Sequence, residues 1–256
     1  APYQAPQVEW HHRQASQKPR LKVAFTTASP TGGQVSETAI QAVRSAAAFL
    51  EEQGHEVVEV GYPVDGQQMM TTYYAMNGGE TAAMFAEIDA ARQEPVRREE
   101  MELMTWALYQ YGKKLPAADY VLALQWWDQL AEKMEEVFST YDLFLTPTTA
   151  FPAPLIEEDL QSDSIRQRLH EIESLGKSAA GELIEEMFAK SYALTPYTQL
   201  ANLTGQPAIS LPTALSEEGL PLGIQFMASK GREDLLFQVG YLFETQQRVL
   251  LPKQGN

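Results

Sequence analysis

The sequence predicts an α/β fold, a mixed β-sheet flanked by helices with a helical region inserted between two strand-bearing ends. Short apolar segments bounded by turn residues lie near both ends of the 256 residues, at 21–25, 56–60, 208–211 and 222–227. Between about 66 and 141 the apolar side chains recur at helical spacing instead. Hydrophobic residues make up 44% of the chain, enough for a globular core. A chain of this length buries roughly 70–75% of its unfolded surface.

Taken in order, residues 1–20 hold Pro2, Pro6, Pro19 and the pair His11-His12 without a period, which reads as an arm or linker. Residues 21–256 are expected to form a single α/β domain. Leu21–Phe25 is a strand, Ser36 can cap a helix bearing Ile40, Val43, Ala47 and Leu50, and Gly54 can end it in the left-handed conformation. A second strand over Glu56–Val60 completes a strand-helix-strand unit (21–65), which implies a parallel crossover. In the helical region, 66–141, Gln67–Arg92 should break or kink at Asn77-Gly78-Gly79, since glycine is costly inside a helix. Pro95 and Pro116 mark further helix starts. Asp119–Phe138 carries Leu122, Trp126, Leu130, Met134 and Val137 along one stripe and should bury it. A buried strand follows at Asp142–Thr146, then an acidic, proline-bearing loop and charged helices up to Ser191. Strands near 208–211 and 222–227, with a turn around Ser216–Gly219, and a closing helix over Asp234–Gln246 complete the region 142–256.

Formal net charge is -15, which speaks against nucleic acid and anionic membranes as partners. The absence of cysteine removes disulfides, thiolate metal sites and cysteine nucleophiles together. Neither a basic patch leading into an apolar run near the start nor about 18 consecutive apolar residues is visible, so a cytoplasmic location is expected.

Few residues assemble into a reaction. Ser174 and Lys177 sit one helical turn apart, but Glu171, Glu173, Glu182, Glu185 and Glu186 surround them. An ammonium in that company stays charged, useless as a base, so a helix surface is the better reading. Gly176–Gly181 nearly echoes a nucleophile elbow, yet its second glycine is one residue late and no strand precedes it. The loop Thr26–Gly33 could offer amides to an anion, but it lacks the dinucleotide fingerprint and reads as a tight connection. The four histidines do not cluster, and no zinc motif occurs; no cofactor or metal is expected.

One segment differs in kind. Pro196-Tyr197-Thr198-Gln199-Leu200-Ala201-Asn202-Leu203-Thr204-Gly205-Gln206-Pro207-Ala208-Ile209-Ser210-Leu211-Pro212 is followed by Gly219-Leu220-Pro221-Leu222-Gly223-Ile224-Gln225. In order and length this resembles the C-terminal end of the amidase-signature family of serine amidohydrolases. Leu21–Phe25 with its helix and the Gly54–Val57 turn, and Asp142–Thr148, look like further parts of that family. Phe25–Thr31 and Pro63–Gly66 look most like 6-aminohexanoate-cyclic-dimer hydrolases.

The resemblance implies the C-terminal portion of the amidase-signature fold and a hydrolase of linear or cyclic carboxamides. Such enzymes use a Ser–cis-Ser–Lys arrangement on a glycine- and serine-rich stretch that precedes everything seen here, and no segment of that kind occurs in this chain. The chain alone is therefore expected to be inactive. It would supply pocket walls and sheet support to an N-terminal half carrying Ser-Ser-Lys, with a small-molecule amide as substrate. Tyr197, Thr198 and Asn202 match the motif segment that approaches the cleft. Thr148, just past a strand end, is a further candidate by position. Asn77 is a candidate from the helical region, where Tyr73 and Asn77 at i, i+4 spacing could place polar groups at the cleft. Two rival readings are a stand-alone α/β ligand-binding domain and a non-catalytic partner subunit. An uncovered apolar face is expected to promote self-association.

Overall fold

Lys22–Phe25 (β1) buries Val23 and Ala24 between the part-buried Lys22 and Phe25, and it pairs in parallel with Glu56–Glu59 (β2), from Lys22↔Glu56 to Phe25↔Glu59. Helix Glu37–Glu52 (α1) joins them. The Ser36 hydroxyl caps it by accepting from the Ala39 amide at 3.2 Å, and Gly54, at φ +88°, turns the chain into β2. These features lie in a computed structural model that describes residues 20–250. The expected arm, with His11 and His12, falls outside the described residues apart from Arg20.

The chain then runs through Gly66–Arg92 (α2), Leu103–Gly112 (α3), Ala117–Thr140 (α4), the fully buried strand Leu143–Pro147 (β3), Asp163–Leu169 (α5) and Lys177–Leu194 (α6). Gln199–Thr204 (α7), Ala208–Leu215 (β4), Pro221–Met227 (β5) and Glu233–Thr245 (α8) follow. Where the sequence suggested one domain over 21–256, the described residues gather into two compact units. One holds 20–65, 130–155 and 193–250; the other holds 66–129 and 156–192.

The first unit contains the mixed sheet, in the order β2-β1-β3-β5-β4. β3 lies parallel to β1, and β5 runs antiparallel to both β3 and β4. The alternation of β5 explains its two faces. Leu222, Ile224 and Phe226 join Leu143 and Leu145 in a core beneath α1 and α8, where Phe243 meets Phe49 edge-on at 4.9 Å. The opposite face holds Phe144, against which Tyr62 packs with ring centroids 6.0 Å apart. β4 is an edge strand with a bulge between Pro212 and Ala214, and the Leu250 amide reaches its Pro212 carbonyl at 2.7 Å.

The second unit is helical, and it corrects two expectations. α2 is unbroken across Asn77-Gly78-Gly79. A Cβ on Gly78 would come 2.8 Å from the Tyr111 ring, one on Gly79 would come 2.7 Å from Tyr120, and one on Gly112 would come 1.8 Å from the Gly78 carbonyl oxygen. Gly78 and Gly112 therefore serve a close crossing of α2 and α3, Gly79 leaves room for the Tyr120 ring of α4, and that packing outweighs the roughly 1 kcal/mol that each costs as helix former. The second correction concerns α4: Leu130 and Met134 are buried, whereas Leu122 is 61% exposed. The predicted stripe is continuous along the helix, but it is not covered along its whole length.

Candidate functional site

The segment Pro196–Gln225 folds into a compact motif of the first unit. Tyr197 is fully buried; its hydroxyl donates to the Thr27 carbonyl at 3.4 Å, and its own carbonyl accepts from Gln225 Nε2 at 3.4 Å. Thr198 stands at the start of α7, and the exposed Asn202 side chain folds back to donate to the Thr198 carbonyl at 3.0 Å. Gly205 ends α7 in the left-handed region at φ +72°, which sends Gln206 and Pro207 into β4. The β4–β5 turn closes through the Gly219 amide on the Ser216 carbonyl at 2.9 Å, with Gly219 at φ +81°.

Beside this motif, hydroxyl and amide groups line the sheet face opposite the α1/α8 core. Thr146 and Ser210 both pair in register with Gln225, one from each neighbouring strand. Thr148 Oγ1 and Ser210 Oγ lie 2.7 Å apart, and the Thr148 amide donates to the Gly223 carbonyl at 2.9 Å. Gly223 keeps that notch open, because a Cβ there would meet Ser210 Oγ at 2.7 Å and Thr148 Oγ1 at 2.9 Å.

The structure thus brings Tyr197, Thr198, Asn202 and Thr148 into one unit, around α7 and the ends of β3, β4 and β5. Tyr73 and Asn77 belong to the other unit, on α2. Sequence reasoning passed over Ser210, Gln225 and Glu135. The first two stand inside the quoted motif, and period-two alternation places both on the same sheet face. Glu135 had no sequence signal. Its carboxylate accepts from the Ser229 hydroxyl at 2.6 Å, Gln206 Nε2 at 3.0 Å and the Lys230 amide at 3.3 Å, tying the end of α4 to the flanks of β4 and β5. Burial alone would raise its pKa, but these donors outweigh burial and hold it below the usual glutamate range.

The imitations of catalytic motifs resolve as surface features. Lys177 Nζ pairs with Asp119 at 2.7 Å, and Ser174 donates to the Glu171 carbonyl at 2.8 Å instead of to the lysine. In the Thr26–Gly33 loop the Ala28 amide is taken by Thr26 Oγ1 and the Gly32 amide by the Ser29 carbonyl, as a tight connection requires. Among the described residues, no group of three or more His, Asp or Glu side chains could hold a metal ion, and no helix is long and apolar enough to cross a membrane.

A mixed five-stranded α/β sheet carrying this terminal motif defines the class as a portion of an amidase-signature hydrolase fold. A family model described as Amidase matches residues 1–237, and the chain belongs to that family. Among curated relatives, a lipoamidase from Enterococcus faecalis is 39% identical over 233 residues, covering 90% of this chain and 32% of the relative. A 6-aminohexanoate-cyclic-dimer hydrolase from Pseudomonas sp. (strain NK87) is 26% identical over 228 residues, covering 88% of this chain and 43% of the relative. A solved structure of 6-aminohexanoate cyclic dimer hydrolase superposes with a TM-score of 0.79 at 26% identity, over 96% of this chain and 49% of that one. The chain therefore spans about a third to a half of the length of the relatives it matches.

Proposed function

We propose that these residues form the C-terminal portion of an amide-bond hydrolase whose reacting groups lie elsewhere in a longer polypeptide. The observation that carries this reading is the match itself: nearly all of the chain aligns, yet with only 32% of the lipoamidase and 43% of the cyclic-dimer hydrolase. In this reading the nucleophilic serine, the bridging serine and the buried lysine belong to the remaining portion. The chain supplies the sheet and the walls of a pocket for a small amide, linear or cyclic, and works in the cytoplasm.

Thr198, Asn202 and Thr148 are assigned to the pocket wall, with Tyr197, fully buried, supporting it from behind. The exposed side chains of Leu215 and Leu220, at the end of the β4–β5 hairpin, support self-association of the chain by itself. Assaying the longer polypeptide against a panel of carboxamides tests the reaction class. Equimolar release of carboxylate and amine is expected. Failure to cleave any carboxamide, with another bond type cleaved instead, would overturn the assignment.

A further inference from the structure

The second unit contains a cleft of about 590 Å³ between α2, α4 and α6, a size ordinary for small-molecule sites. Its apolar wall is the uncovered part of the α4 stripe, Leu122 and Trp126 one helical turn apart. Amphipathic patterning calls for cover there, and among the described residues Leu122 has little.

The polar side of the cleft carries an unbalanced charge. Asp119 is neutralised by Lys177 at 2.7 Å. Glu182 and Glu185, on α6, accept from the neutral hydroxyls of Ser178 at 3.3 Å and Thr71 at 2.9 Å; among the described residues neither forms an ion pair, and Arg168, which is paired with Glu186, acts on Glu182 only from further off. Tyr111 adds an independent sign. It lines the cleft at 8% exposure, and its hydroxyl makes no hydrogen bond among the described residues. The ring is buried while the unbonded hydroxyl opens on the cleft, where a ligand can reach it. Burial first, and then the charges of Glu185 and Asp119, push its pKa up, so it remains a neutral phenol able to accept a hydrogen bond.

We propose that this cleft binds a primary alkylammonium ion. The ammonium, with three N–H donors, is held by Glu182, Glu185 and the Tyr111 hydroxyl, while Trp126 and Leu122 cover the hydrocarbon chain. A carboxylate ligand would meet two like charges, and a neutral alcohol would leave Glu185 without a cation. The site goes beyond the hydrolase reading, because binding needs no turnover and can be measured on the chain as it stands.

The test is titration of the 256-residue chain with pentylamine, pentanol and pentanoate at low ionic strength, followed by calorimetry and tryptophan fluorescence. Pentylamine is expected to bind saturably, with a fluorescence change that Trp126→Phe abolishes. The double variant Glu182→Gln/Glu185→Gln should weaken pentylamine on the order of tenfold and leave pentanol unchanged. If that variant does not fold, raising the salt on the parent chain gives the same readout, since a charge-held amine weakens with ionic strength and an alcohol does not. Equal binding of pentanoate or pentanol, or amine binding that neither the substitutions nor salt reduce, overturns the proposal. So does failure of pentylamine to bind at all.

Discussion

Glu135 shows how one side chain joins parts of the chain that are far apart in sequence. Its three donors come from positions 206, 229 and 230, so the carboxylate fastens the end of α4 to the segments around β4 and β5. Its pKa is held down in the folded state, and the sign follows. The stabilisation is fully present above the unfolded glutamate value of about 4.3 and disappears as pH falls through the lower folded value. Glu135→Gln should therefore cost about 1 kcal/mol at neutral pH in urea denaturation. That cost should shrink towards pH 3, where the parent loses its charge as well. A difference that does not change with pH would mean that shape, not charge, is what Glu135 contributes.

At the scale of elements, the glycines of α2 and α3 make the sharper test. Gly112→Ala places a methyl group 1.8 Å from the Gly78 carbonyl oxygen, so the two helices must separate or distort. Overpacking of this kind typically costs about 1–3 kcal/mol, and backbone has less room to yield than side chains. Gly61→Ala, with nothing within 4 Å of the added Cβ, is the matched control. A fall in the urea midpoint for the first and little change for the second is expected; equal midpoints would refute the close crossing.

The same glycines mark where sequence reading ran out. α1, β1, β2, β3 and the β4–β5 pair were legible because their signals are local: a capping serine, short apolar segments bounded by turn residues, turn glycines. The uninterrupted α2 was not, because the compensation for Gly78 and Gly79 comes from Tyr111, Gly112 and Tyr120, distant in sequence. Leu122 was misplaced for a related reason. Periodicity shows that a stripe exists, but only tertiary packing decides how far along the helix it is covered. Of the candidate site, Thr148 and the residues on and just before α7 stand together because the motif is one contiguous stretch beside β3. Their hydroxyl and amide partners, Ser210 and Gln225, emerge only once strand register is known.

For the whole molecule, two compact units of different character come from one chain: a five-stranded mixed sheet with helices, and a bundle of helices. β4 lies at the edge of that sheet, and Leu215 and Leu220 expose apolar side chains at the end of its hairpin. Unpaired edges and uncovered apolar groups favour association, so light scattering on the isolated chain should show a mass that rises with concentration. A strict monomer at high concentration would count against this.

The most direct test concerns the proposed division of labour between this chain and a longer polypeptide. The purified 256 residues are incubated alone with a panel of carboxamides, and free amine is quantified by mass spectrometry. No release above the rate of buffer is predicted, because on the proposed reading the nucleophile lies outside these residues. Turnover that co-purifies with the chain through successive columns, in constant proportion to it, would contradict that account.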